Sequence, residues 1–578
     1  MMTVVSGAYN HLTHMQAMGF WLAASFVTLF VIVPGPSVAE NMKCKDCPNY
    51  GGILTCDPQT CDWLLMNGYW AGNLTDGGEL LICYCPIGYC TYNDSDRFIW
   101  IPRDSIQTIE AFLCNGSHRM GAICGQCQPG YAPAINSDTY SCVPCDAKDS
   151  EINWIYYLLA VYAPLLVVFL LIILFNIRLT SGPLNSFILF AQVISTTVDI
   201  NQAPLNLVYG RSTNAFQKSY EIPYNLFNLN LFGNFLPPFC LHNGLDTLGA
   251  IALRYAEAFF PMLIIVAIVV LVRCRSCIKT SAKCPSIFQH YRIGSSMVHA
   301  FAAFVLLSYN RLCEISSYLL TTTSLSGHTL HSVGERLYYQ GNYTVDDPSY
   351  SLRYKLPAYL MLIVLALVSM ALLHYPVKWL ERLVSQMSCL RKVYPTASIG
   401  IMLDTFQGCF RDNRRYFAGL YLALRLLLFL AYILPFFQTL LIQQIFFVIY
   451  ILLLFFLEPY KEKYINYLDI FIFANLAFIN ISTWYTNNQV LSDEILSIQI
   501  CIVIQSILVF TPMVFFVAYL LWYITRRYHK GTKRKMTERR HVVEKLFQRR
   551  TNAQDISLVS YNTTPYVAAD GILSDTVT

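Results

Sequence analysis

Charge is what this sequence lacks most: Asp, Glu, Lys and Arg make up 13% of it, about half the share of an ordinary soluble domain. With 55% hydrophobic residues over 578 positions, that scarcity excludes a soluble globular enzyme and leaves a polytopic membrane protein. Catalytic signatures are missing as well. The chain has no nucleotide-binding glycine loop, no nucleophile elbow and no HExxH motif, so no enzyme activity, cofactor or metal is expected. A net charge of only +5 gives no reason to expect a nucleic-acid partner.

Lys and Arg are also absent ahead of the first apolar run, residues 20–33. About 14 residues is too short to span a bilayer and suits the apolar region of a signal peptide. Pro34-Gly35-Pro36 breaks the run, and Ser37-Val38-Ala39 supplies a small-x-small cleavage site. Residues 1–39 therefore read as a signal peptide, with an uncleaved anchor as the alternative.

Cysteine is plentiful. Of 20, twelve lie between Cys44 and Cys145: Cys44, Cys47, Cys56, Cys61, Cys83, Cys85, Cys90, Cys114, Cys124, Cys127, Cys142 and Cys145. The C-x-x-C spacings alone would allow zinc. Sequons at Asn73, Asn93 and Asn115 and the preceding signal point instead to an oxidising compartment. Residues 40–150 read as a small extracellular disulfide module. It is rich in Gly, Pro, Asn and Tyr and has too little apolar periodicity to hold a core without staples. Six bridges are expected, with the pairing open.

Several motifs carry a resemblance. Cys124-Gly-Gln-Cys-Gln-Pro-Gly-Tyr131, followed by Cys142-Val-Pro-Cys145, resembles the closing turns of EGF-like and TNF-receptor-like modules. Asn67-Gly-Tyr-Trp70, Cys85-Pro-Ile-Gly-Tyr-Cys90, Asp404-Thr-Phe-Gln-Gly-Cys409 and Arg414-Arg-Tyr-Phe-Ala-Gly-Leu-Tyr421 are similar to pieces of large, mostly uncharacterised animal surface proteins. In those, a cysteine-rich region precedes a loosely TRP-like polytopic block. The resemblance implies that architecture and no particular activity.

The expected fold is an all-α polytopic membrane bundle over 151–525, with about nine transmembrane helices and the disulfide module on its N-terminal side. The spans fall near 154–175, 183–200, 248–272, 297–323, 356–375, 417–435, 439–457, 468–484 and 496–524. Fifteen Lys and Arg then occupy inside loops and five outside ones, as the positive-inside rule requires. The N-terminus is expected outside, the C-terminus in the cytoplasm, and the protein at the plasma membrane. A fourth sequon, Asn342, falls in an outside loop. Cys240 makes thirteen outside cysteines and is either free or bridged to the module. Tyr224–Phe239 reads either as an interfacial or re-entrant cap or as an ordinary surface loop. The tail, 526–578, starts with basic clusters suited to anionic inner-leaflet lipids and ends in a polar, disordered composition.

The third and fourth spans carry charge where hydrocarbon makes it costly. Arg254 and Glu257 share one helix face, as do Arg311 and Glu314. In an antiparallel pair their depths overlap, so two interhelical ion pairs, Arg254 with Glu314 and Glu257 with Arg311, compete with two intrahelical ones. Arg425, about eight residues into the sixth span, reads as snorkelling or pairing, and Asn475 and Asn480 as helix–helix hydrogen bonds. The expected function is a receptor-like surface protein whose module binds an unidentified extracellular ligand or protein. A channel or transporter using the four charges, and a structural surface protein, are the alternatives.

Overall fold

The computed structural model describes residues 54–57, 60–66, 68–72, 80–86, 89–90, 98–101, 113–114, 117–135, 141–145, 150–167, 170, 182–200, 238–278, 293–326, 332–374, 405–434, 436–490, 499–519, 521 and 525. The signal peptide, Cys44, Cys47, the sequons at Asn73, Asn93 and Asn115, residues 201–237 and the basic tail lie outside the described residues. Residues 1–512 form one compact unit and 513–578 another.

The described residues are mostly helical. Six helices are long and apolar enough to cross a membrane. They overlap the expected third and fifth to ninth spans. The first three are α3, Thr247–Ile278; α5, Leu356–Leu373; and α6, Phe417–Leu430. The others are α7, Phe436–Leu457; α8, Lys463–Val490; and α9, Gln499–Tyr519. Helices also stand at the other three expected positions: α1, Ser150–Tyr157; α2, Gly182–Ile200; and α4, Ile293–Leu320. The 28-residue α4 falls outside the six because Asn310, Arg311, Glu314, Ser316 and Ser317 dilute its apolar character.

Burial explains why so polar a helix sits in this bundle. Every residue of α4 from Leu306 to Ser317 is buried. Its hydroxyls staple it to three neighbours. Ser316 meets Tyr255 of α3 at 2.7 Å, Tyr309 meets Ser369 of α5 at 2.7 Å, and Ser317 donates to the Phe429 carbonyl of α6 at 2.8 Å. In a bilayer the hydrophobic effect cannot hold helices together, so such bonds and close contact between small residues do. Gly419 supplies the closest approach. A Cβ there would lie 2.4 Å from the Leu373 nitrogen and 2.7 Å from the Ser369 oxygen.

The N-terminal region folds as short strands. β1 (Leu54–Cys56), β2 (Trp63–Met66) and β5 (Phe98–Ile101) make one antiparallel sheet. A second sheet runs in the order β11-β10-β4-β3. Here β3 is Tyr69–Gly72 and β4 is Leu81–Tyr84, while β10 (Thr322–Ser326) and β11 (Ser332–Leu337) lie between α4 and α5. The module therefore shares a sheet with a loop of the helical bundle. Two short pairs complete it, β6 (Arg119–Met120) with β7 (Gln126–Cys127), and β8 (Tyr131–Pro133) with β9 (Cys142–Pro144).

Bridges join Cys85 to Cys90, Cys114 to Cys124, Cys127 to Cys142 and Cys145 to Cys240, and Cys56 and Cys61 are both disulfide-bonded. Cys83 corrects the expected set of twelve. It is free and buried, because its β4 register places Trp70 opposite it rather than a cysteine. Burial pushes its thiol up. Cys240 fills the vacancy by taking Cys145 out of the module.

Candidate functional site

The seam between module and bundle sits at the start of α3. Asp246 precedes the helix and caps it, accepting from the Gly249 N–H at 2.8 Å, the favoured geometry for an N-terminal Asp. The Tyr354 hydroxyl also donates to Asp246, at 2.9 Å. One residue on, the Thr247 N–H donates to Gln340 Oε1 at 3.3 Å and its hydroxyl to the Gly125 carbonyl at 3.4 Å. Gly125 and Gly341 let two backbones touch. A Cβ on Gly125 would lie 2.5 Å from the Gly341 nitrogen, and one on Gly341 2.3 Å from the Ala122 oxygen.

Asn342 belongs to the same seam. The Ala122 N–H donates to its Oδ1 at 3.1 Å, and both amide atoms press on Gly121, whose φ of +80° suits glycine. The Asn342 amide is thus engaged in the seam rather than held free for a glycan. We expect Asn342→Gln to leave the electrophoretic mobility of the mature protein unchanged, and a drop equal to one glycan would show the seam to be open.

Two turns further along α3 lie the expected charges. Arg254, Glu257, Arg311 and Glu314 are all buried, none more than 7% exposed. On α4 the intrahelical alternative is present: Arg311 Nη1 donates to Glu314 Oε2 at 2.9 Å. Glu257 accepts from the Tyr157 hydroxyl of α1 at 3.1 Å, a partner that neither expected arrangement names. The sequence could not set this choice. Which face of α3 meets α1 and which meets α4 depends on how both pack.

A second polar centre lies where α2, α6 and α8 begin. Asp469 and Arg425 are both fully buried. The Ser186 hydroxyl of α2 bonds to Asp469 Oδ1, and the Tyr460 hydroxyl donates to Oδ2. Arg425 of α6 turns elsewhere. Its Nη2 donates to Asn185 Oδ1 at 2.7 Å and to the Asn185 carbonyl at 3.3 Å, and its Nη1 to Asn310 Oδ1 at 3.5 Å. The guanidinium also covers the Tyr421 ring at 4.9 Å, a cation–π contact. Asn310 donates to Gln192 of α2. Because Asn310 and Arg311 are neighbours on α4, this helix touches both polar centres.

A short connector closes that end. Phe410 and Tyr460 form a β-bridge and stack at 4.8 Å. The Arg411 N–H donates to the Pro459 carbonyl at 2.8 Å, and the Lys461 N–H to the Cys409 carbonyl at 3.1 Å. Burial raises the Tyr460 phenol well above its usual range and pushes the Cys409 thiol up to about 12. Beside the connector a cavity of about 10 Å³, room for roughly one water, is lined by Asn185, Phe406, Phe410 and Tyr421 among others.

Sequence reasoning overlooked Asp469. The signal was there: it is the only acid between Lys463 and Val490. A span drawn from 468 makes it a boundary residue, but α8 starts five residues earlier, which puts Asp469 about 9 Å along the helix. Asn480 does make the expected interhelical bond, donating to the Leu440 carbonyl at 2.7 Å, whereas Asn475 bonds its own helix.

The apolar helices, with charge enclosed between them, define a membrane protein, and the N-terminal disulfides fit an extracellular module. No family model, curated protein or solved structure matches the chain.

Proposed function

We propose that this is a receptor-like multi-pass protein of the plasma membrane. In this reading its cysteine-rich module faces outward and binds an extracellular ligand or protein. The nine helical segments all cross, and the tail meets anionic lipid inside. The observation that carries the reading is the seam. Thr247, the first residue of α3, is hydrogen-bonded to both Gly125 of the module and Gln340 of the α4–α5 loop. Ten residues later the same helix presents Glu257 to Tyr157. A shift of the module is thereby handed to the helix that carries the outer charges. The coupling is thermodynamic: a ligand biases the helices by as much as it prefers one arrangement of the seam.

A nanobody raised against the outer face of the full-length protein serves as a surrogate ligand. We expect its binding to change the rate of tryptic cleavage at the connector around Arg411 and Arg414. The double variant Thr247→Val with Gln340→Ala should bind it equally well and transmit nothing. A channel or transporter is the second reading, favoured by the two polar centres that share α4. A whole-cell current or substrate flux that disappears in Glu257→Gln would replace the receptor reading with that one.

A further inference from the structure

The inner centre holds two buried opposite charges that share no hydrogen bond. Arg425 donates to Asn185 and Asn310, while Asp469 receives Ser186 and Tyr460. An ionised carboxylate in hydrocarbon, without a bonded cation, costs several kcal/mol, and such a group is commonly relieved by taking a proton.

The hydrogen bonds around the carboxyl accommodate that proton. The Ser186 oxygen lies within bonding reach of two acceptors, Asp469 Oδ1 and the Gly182 carbonyl at 3.0 Å. A hydroxyl has one hydrogen and can also accept. If Asp469 is ionised, Ser186 can turn its one hydrogen to the carboxylate, because the Gly182 carbonyl keeps the backbone N–H bond of its own helix turn. If Asp469 carries a proton on Oδ1, it donates to Ser186, Ser186 donates to Gly182, and Tyr460 donates to Oδ2. Every contact is then used without moving a heavy atom.

We infer that Asp469 is a proton-binding site of this protein, occupied in the conformation seen here. The proton leaves and enters by the connector. Phe410 both lines the cavity and stacks on Tyr460, so it stands between that space and the carboxyl. The groups facing Asp469 are Tyr421 and Arg425 of α6, Tyr450 of α7, Tyr460 and Cys409 of the connector, and Ser186 of α2. When the proton departs, Ser186 must turn its hydrogen from Gly182 to the carboxylate, and the α2–α8 contact gains a buried negative charge. The inference stands apart from the receptor reading, since it concerns the opposite end of the bundle.

Infrared spectroscopy on the full-length protein in lipid nanodiscs tests it. The wild type is expected to show a protonated-carboxyl stretching band near neutral pH that fades on alkalinisation and shifts in heavy water. Asp469→Asn should lack the band, while Glu257→Gln keeps it. Asp469→Asn should also lose the fall in melting temperature expected as pH rises from the ordinary carboxylate range towards neutrality, because its amide donates to Ser186 at any pH. If that variant cannot be recovered, Asp469→Glu should move the band in frequency. A wild type with no such band, or a band that neither Asp469 variant alters, overturns the proposal.

Discussion

Replacing Cys145 or Cys240 with serine is expected to remove most of the folded protein from the cell surface. The bridge spans 95 residues of sequence, and losing a native bridge from a small disulfide-rich fold costs about 2–5 kcal/mol. Position matters more than that figure. The other bridges with known partners, Cys85–Cys90, Cys114–Cys124 and Cys127–Cys142, close loops inside the module. Only Cys145–Cys240, among them, ties the module to the segment entering α3. Without it, only non-covalent contacts remain at the seam, among them those of Thr247 and Asn342, the Tyr89 bond to the Tyr339 carbonyl and the β4–β10 pairing. The two serine variants should fall equally, and the double variant no further, because each already breaks the same bond. Surface biotinylation reads the result. A double variant clearly worse than either single one would mean that the cysteines act separately.

Gly419→Val should be as damaging, for a steric reason. At Gly419 even one added carbon meets three backbone atoms under 3 Å away: the Leu373 nitrogen, the Ser369 oxygen and the Leu372 carbonyl carbon. Backbone cannot rotate aside as a side chain can, so α5 and α6 must part. Overpacking of this kind costs about 1–3 kcal/mol and sometimes more. Separation would also pull Ser369 away from Tyr309 of α4, loosening the helix at the centre of the bundle. Gly419→Ala should melt between wild type and Gly419→Val in nanodiscs. A valine variant that melts like wild type would show that the helices do not meet there.

Much of this was legible beforehand. Six of the expected spans, the third and the fifth to ninth, coincide with helices apolar enough to cross, which start or stop within a few residues of the expected limits, except where α8 begins early. Arg254, Glu257, Arg311 and Glu314 could be named because charge in a long apolar run is conspicuous. The Arg311–Glu314 pair is one of the two arrangements their spacing allows, but the partner of Glu257 could not be named, since Tyr157 lies 100 positions away. Asp469 was hidden by a boundary, and Ser186, Asn185 and Tyr460 carry no charge to draw attention. Cys83 was grouped with its neighbours because an odd count cannot say which member is left over.

The sequence by itself determined that this is a membrane protein with a disulfide-rich N-terminal part, because hydropathy and cysteine content are summed locally and need no partner. The tertiary structure alone decided that the module joins a bundle loop in one sheet, that Cys145 reaches Cys240, and that Arg425 and Asp469 lie in one layer without pairing. These are contacts between distant stretches, set by how helices rotate and pack, and no local pattern encodes them.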